Sequence, residues 1–241
     1  MLDGPLDGTV ALVTGADVDV GSATARRLAR EGAAIALIGA DRDRLAAAVG
    51  VITSDGGHGV AVEADITDQE QAARAVSDTL DRFGRLDVLI NGAGVALRGT
   101  ALRTTLGEWD RMIALNLSAL VHLTHAALPH LIDAVASSPR QVADIVNIGS
   151  VAGRIAHQGG SVYHLTRFGL AGFTESLRQE LVTDRVRVGI VEPGEVGCLD
   201  DAARDAALRP DEIADAIAYM VGRGHRVAVN EILVRATRQI W

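Results

Sequence analysis

From Val10 to Val234 the chain alternates short apolar runs with longer segments whose apolar residues recur at helical spacing. Short apolar runs bounded by turns suit strands buried on both faces, and parallel strands need a helix-length crossover between them. The pattern predicts an α/β fold, a doubly wound, seven-stranded parallel sheet with helices on both faces. The expected strands are Val10–Thr14, Ile35–Ile38, Val60–Glu63, Val88–Ile90, Ile145–Ile148, Val186–Val191 and Val227–Val234. Helices are expected over Gly21–Glu31, Arg42–Val49, Gln69–Phe83, Glu108–Val135, Val162–Val182 and Asp211–Val221. Ala23, Leu28 and Ala29 can face the sheet, Pro129 should kink or stop its helix, and Pro210 suits a helix start. No repeat or low-complexity linker interrupts the series, so residues 1–241 read as one domain.

Composition narrows what such a domain does. Apolar residues make up 48% of the chain and aromatics only 3%, so Ala, Val, Leu and Ile must fill the core. A net charge of −8 argues against nucleic-acid and membrane-surface partners, which select for basic patches. No uninterrupted apolar run approaches the roughly 18 residues of a membrane span. Met1–Thr9 lacks the basic-then-apolar order of a signal peptide, so the expected location is cytoplasmic. The single cysteine, Cys198, excludes an intrachain disulfide and any multi-cysteine metal site. All 23 basic residues are Arg.

The first strand runs directly into Thr14-Gly15-Ala16-Asp17-Val18-Asp19-Val20-Gly21, and a helix follows. In such a turn glycines let backbone amides approach a pyrophosphate, which then sits at the positive end of the helix. Asn91-Gly92-Ala93-Gly94 follows the fourth strand and Pro193-Gly194 follows the sixth. Gly149-Ser150 ends the fifth, and Tyr163-His164-Leu165-Thr166-Arg167 opens the next helix, with Tyr163 thirteen residues after Ser150. A serine at a strand end and a tyrosine on the following helix can converge on one carbonyl oxygen. A tyrosine hydroxyl with an ordinary pKa of about 10 is a poor base at neutral pH and needs a nearby cation to become one.

Together these segments resemble the short-chain dehydrogenase/reductase family, Rossmann-type enzymes that move a hydride between a nicotinamide cofactor and a carbonyl or alcohol. The resemblance implies Ser150, Tyr163, Arg167 and Asn116 as the catalytic set. Tyr163 would be the acid/base, Ser150 would hydrogen-bond the substrate oxygen, and Asn116 would support a relay water. It implies a cofactor site from Gly15, Asp17, Asp19, Val20, Gly21, Asp41, Asp65, Ile66, Asn91, Gly92, Ala93, Pro193, Gly194 and Val196, with Tyr163 and Arg167 also touching cofactor. In this picture Asp65 meets the adenine amino group; read from the residues alone, it is equally a helix cap before Thr67-Asp68. Val196 would offer its amide to the nicotinamide carboxamide.

Several positions depart from the family pattern. Asp19 replaces the middle glycine of the turn, placing a carboxylate near the expected phosphates or out in solvent. Gly92 replaces a second asparagine, and Cys198 replaces a threonine. Arg167 stands where the family has lysine; it keeps the charge but not the shape. The end of the second strand reads Gly39-Ala40-Asp41-Arg42, with Gly39 at the usual acid position and Ala40 at the usual arginine position. Asp41 and Arg42 would pull cofactor choice in opposite directions, or simply begin a solvated helix.

Ala152-Gly153-Arg154, Glu192-Pro193-Gly194 and Arg209-Pro210-Asp211-Glu212 resemble one branch of the family. That branch includes 3-hydroxy acid (serine-type) dehydrogenases and clavulanate-type aldehyde reductases. It implies NADP(H), with NAD(H) the alternative, and a homo-oligomer, dimer or tetramer, contacting through Glu108–Val135 and Val162–Val182. Only Glu195–Arg209 separates Gly194 from Pro210, shorter than the family's substrate-covering segment and without a signature of substrate identity. Two functions remain: an oxidoreductase acting on a small carbonyl or alcohol, or a member with lost or weakened cofactor binding that serves as a non-redox enzyme or a binding subunit. His157 and His164 flank the expected site. His122 and His125 lack a third ligand at metal spacing, and Asp17-x-Asp19 lacks the rest of a calcium loop, so no metal is expected.

Overall fold

The computed structural model describes residues 4–197 and 207–239. Seven parallel strands form one sheet in the order β3-β2-β1-β4-β5-β6-β7. They are β1 Val10–Thr14, β2 Ala34–Gly39, β3 Gly59–Glu63, β4 Val88–Asn91, β5 Ala143–Ile148, β6 Val186–Pro193 and β7 Glu231–Val234. The helices are α1 Asp19–Arg30, α2 Arg42–Ser54, α3 Gln69–Phe83, α4 Leu106–Ile113, α5 Ala119–Ser137, α6 Ser161–Glu180 and α7 Pro210–Val221. This is the Rossmann-type architecture that the alternating pattern predicts.

Each face of the sheet has its own core. Ala25 and Leu28 of α1, Leu45 of α2 and Ile213 and Ile217 of α7 cover one face, meeting Val13, Leu37 and Val191. Ala72 and Ala75 of α3, Leu123 and Ala127 of α5 and Leu177 of α6 cover the other, meeting Leu12, Leu89 and Ile145. Ala23 and Leu28 are buried as expected, while Ala29 is only partly covered. The strand order reverses between β1 and β4, so the crevice beyond their carboxyl ends is where such a sheet binds ligands.

Three expectations need correction. Pro129 does not stop its helix: α5 continues to Ser137 with Pro129 inside. The Glu108–Val135 prediction is also not one uniform α-helix, because a π-helical turn, Ala114–Ser118, joins α4 to α5. Third, β7 begins at Glu231 rather than Val227. The carbonyls of Arg223, Gly224 and Val227 accept from Nη1 of Arg187, and this guanidinium, not a strand ladder, fixes the approach to β7.

The stretch Leu106–Ser137 is 32 residues long and matches a membrane span by length and composition, although it contains no uninterrupted apolar run of that length. Its apolar stripe of Leu120, Leu123, Ala127 and Leu131 is buried in the protein itself.

Candidate active site

Gly15 lies in the left-handed region at φ +66°, which an L side chain would strain. A Cβ there would also press on the Ala93 backbone at 3.0 Å. This glycine therefore lets the turn after β1 cross directly over the chain leaving β4. Thr14 fastens the same crossing: its Oγ1 accepts from the amides of Gly92 (3.0 Å) and Ala93 (3.2 Å). Gly92, where the family has asparagine, is explained by that closeness, since a Cβ would meet the Thr14 carbonyl oxygen at 2.7 Å. Gly21 lies within α1 against the Gly15 carbonyl.

Asp19 is the first residue of α1, not part of the turn before it. Its φ is not positive, so this position does not demand glycine. The side chain is exposed at the positive end of the helix, where an acid is favourable, and on the wall of a pocket where phosphates would meet that same end. Val18 contributes no side-chain hydrogen bond to the helix cap.

The pocket has a volume of about 490 Å³ and opens beyond the carboxyl ends of the central strands. Val18, Asp19 and Val20 form one wall, Gly92 and Gly94 the floor after β4, and Pro193, Gly194 and Val196 the side after β6. Ser150, Tyr163 and Arg167 enter from β5 and α6. Sequence positions far apart thus converge on one cavity.

Ser150 is buried, and its Oγ accepts from the Ala152 amide at 3.2 Å, capping the short 3₁₀ turn Val151–Gly153. With that lone pair committed, the hydroxyl proton is directed to another acceptor. Tyr163 is half-buried. The Arg167 guanidinium carbon lies 5.0 Å from the Tyr163 ring centroid, a cation–π distance. Arg167 is only 7% exposed; its Nη1 donates to the Ile148 carbonyl at 3.2 Å, and its Nε is buried with no hydrogen-bond partner among the described residues. Nη2 lies 2.7 Å from where a Gly94 Cβ would stand, so a side chain at Gly94 would crowd the guanidinium.

Asn116 reaches the site through the π turn and is 1% exposed. Its amide accepts from the Val95 N–H (2.8 Å) and donates to the Val95 carbonyl (2.9 Å) and to Thr166 Oγ1 (3.2 Å). The helix that carries it begins with a reciprocal cap between Thr105 and Glu108. The Thr105 N–H, then its hydroxyl, hold the Glu108 carboxyl below its usual range.

Asn91, Asp65, Ile66 and Asp41, also expected at the cofactor, lie outside this cavity. Asn91 turns its amide into the protein, donating to Asn147 Oδ1 (2.8 Å) and Thr124 Oγ1 (3.1 Å). Asp65 Oδ1 accepts from the Thr67 amide (3.0 Å) and hydroxyl (2.6 Å); the cap of α3 is Asp68, so the alternative reading of Asp65 as that cap is corrected. Ile66 is buried in the core beneath it. Asp41 Oδ1 caps α2 through the Arg44 amide at 3.1 Å. Val196, on the cavity wall, bridges Leu208 through the Glu195 carbonyl and the Gly197 amide, two bonds that do not involve the Val196 amide. Cys198 and most of the short Glu195–Arg209 segment lie outside the described residues.

The sequence gives no sign of Gln239, which folds back from the far end of the chain to the pocket wall and accepts from the Glu195 amide at 3.1 Å. Among the described residues no cluster of three metal-ligating side chains occurs.

A family model described as short chain dehydrogenase matches residues 9–205. The chain belongs to the short chain dehydrogenase family. An uncharacterized oxidoreductase of Staphylococcus epidermidis is 30% identical over 230 residues, 94% of this chain and 96% of that one. A metagenomic short-chain oxidoreductase solved in complex with NADP is 34% identical, with a TM-score of 0.85, covering 97% of this chain and 99% of that one. A 3-ketoacyl-(acyl-carrier-protein) reductase from Brucella melitensis, complexed with NADH, is 28% identical with a TM-score of 0.87, covering 98% and 100%.

Proposed function

We propose that this chain is an oxidoreductase that interconverts a small carbonyl compound and its alcohol with a nicotinamide cofactor. The observation that carries this reading is the shared cavity: Ser150, Tyr163 and Arg167 face the same space as the α1 start and Gly92. The residues fit such a cofactor, because the close crossing at Gly15 and Gly92 leaves a side-chain-free cradle, and the buried Arg167 supplies a cation beside it. Bound there, the nicotinamide would supply or take the hydride.

The chain's own groups handle the proton. In reduction, the Ser150 hydroxyl donates a hydrogen bond to the substrate oxygen and orients it. The Tyr163 hydroxyl gives its proton to that oxygen as charge develops there, and in oxidation the tyrosinate takes it back. Arg167 places a positive charge over the face of the Tyr163 ring. Asn116 fixes the Val95 backbone at the mouth of the cavity.

The branch that Ala152-Gly153-Arg154 and Glu192-Pro193-Gly194 resemble suggests 3-hydroxy acids and aldehydes as substrates. Val121, Leu165 and Phe168 are exposed on the long helices α5 and α6, which supports a homo-oligomer formed through them.

The test is a panel of aldehydes, ketones and 3-hydroxy acids with each nicotinamide cofactor, followed by near-ultraviolet absorbance of the reduced form. Turnover lost in Tyr163→Phe, with cofactor binding retained, supports the reading. Absence of both turnover and cofactor binding in the wild type overturns it and favours a binding subunit.

A further inference from the structure

At the end of β2 the structure shows a substitution in space rather than in sequence. Gly39 carries no side chain at the position where an acid would select a ribose hydroxyl. The Asp17 carboxylate, reaching over from the turn after β1, fills that place. A Cβ built on Gly39 would stand 2.4 Å from Asp17 Cγ and 2.5 Å from Oδ1. The carboxylate is held there: Oδ2 accepts from the amides of Ala40 (3.0 Å) and Asp41 (3.1 Å). Oδ1 takes part in neither bond.

We infer that Asp17 is the cofactor-selecting residue of this chain and that it favours NAD(H) over NADP(H). The inference rests on the nicotinamide reading above. Two effects act in the same direction. Oδ1 can accept from a ribose 2′-hydroxyl, whereas a 2′-phosphate would bring like charges together. Oδ2 also occupies the two amides that a phosphate at this corner would need.

The neighbouring charges do not reverse this. Arg44 is drawn to Asp41, with Nε 3.3 Å from its Oδ2. Ala40 stands where an arginine would meet the phosphate. Arg42, exposed at the start of α2, is the competing cation, and its weight is measured by the variant below.

The experiment titrates the full chain with NADH and with NADPH, read by nicotinamide fluorescence and by calorimetry. ADP-ribose and its 2′-phosphorylated form provide a second pair that needs no turnover. In the wild type NADH should bind at least about tenfold tighter than NADPH, and added salt should narrow the gap because it screens the repulsion. Asp17→Asn keeps an acceptor for both amides but removes the charge, so it should reduce the preference by roughly tenfold, chiefly by tightening NADPH. Arg42→Ala should leave the preference for NADH in place.

NADPH binding as tightly as NADH in the wild type overturns the assignment while leaving the oxidoreductase reading intact. An Asp17→Asn ratio equal to wild type also overturns it, showing that the carboxylate only braces the loop. If Asp17→Asn does not fold, equal wild-type affinity for the two ADP-ribose forms still decides against the assignment. Failure of every nicotinamide ligand to bind overturns the functional reading and this inference with it.

Discussion

Asn116 holds Val95 by both backbone polar groups, accepting from its N–H at 2.8 Å and donating to its carbonyl at 2.9 Å. The clamp depends on the π turn, which carries Asn116 inward to 1% exposure while α4 and α5 continue on either side. Such turns often occur at functional sites because the extra residue redirects one side chain. Truncation would leave two Val95 groups and Thr166 without this partner. Asn116→Ala should therefore lose about 2–4 kcal/mol of stability, read by denaturant unfolding. Turnover should fall more than cofactor affinity, because Val95 lies at the mouth of the cavity.

The Arg167 head is accommodated by the absence of a side chain at Gly94 and by the Ile148 carbonyl. Its Nε has no partner among the described residues, so part of the desolvation cost of this cation stays uncompensated by them. Lysine would keep the charge, fill less of the space beside Gly94 and remove the orphaned Nε. Arg167→Lys should therefore raise kcat at saturating cofactor by several-fold, whereas Arg167→Met should lower it by about a hundredfold or more. Tyr163→Phe should cost roughly a hundred- to ten-thousandfold in turnover while cofactor binding changes little. Steady-state kinetics beside direct binding separates these effects.

Much of this site was legible in the sequence because its signals are local. The Ser150 and Tyr163 spacing works by placing one residue at a strand end and the other on the next helix, which is the arrangement found. Strand runs such as Val10–Thr14 are fixed by their own apolar residues. The Asp17–Gly39 contact was not legible. It depends on β1 and β2 lying side by side in the register Thr14 to Ile38, a tertiary fact that no local pattern carries. Gln239 likewise reaches the pocket only through the sheet topology. The start of β7 was misplaced because Val227 looks strand-like, yet its carbonyl is taken by the Arg187 guanidinium from another strand.

Asp19 and Asp17 are two residues apart but should behave differently. Asp19 sits at the positive end of α1, where its carboxylate would compete with a bound pyrophosphate for the same field. Asp19→Gly should tighten NADH and NADPH equally, by roughly fivefold, equivalent to about 1 kcal/mol. The helix start should lose about 0.5–1 kcal/mol through glycine's backbone freedom and the missing acid. A change confined to one cofactor would contradict this account.

At the opposite end of the sheet Asp144 joins two arginines inside the protein. Arg140 Nη2 lies 2.8 Å from its Oδ2, and Arg187 bonds both carboxylate oxygens at 2.7 and 2.9 Å. The Asp144 side chain is 5% exposed, Arg140 8% and Arg187 10%. Removing the carboxylate would bury two cations without their counter-ion. Asp144→Asn should cost about 3–5 kcal/mol of stability, seen as a lower Tm. NADH affinity should be unchanged at temperatures where the variant is folded.

His164 is the last test of how the cavity is built. The Ala152 carbonyl lies 2.8 Å from its Nδ1 and can only accept, so Nδ1 carries the proton. Nε2 is then unprotonated and accepts from the His157 amide at 3.0 Å. One neutral imidazole thereby ties the 3₁₀ turn behind Ser150 to the loop that carries His157 and Gln158 along the pocket wall. His164→Leu preserves bulk but breaks both ties. The loop should then hold substrate poorly, raising KM for the carbonyl compound several-fold while NADH affinity stays within about twofold, because the cofactor wall is built from α1 and the chain after β4. Equal losses in substrate and cofactor binding would mean that His164 supports the whole site rather than the substrate loop.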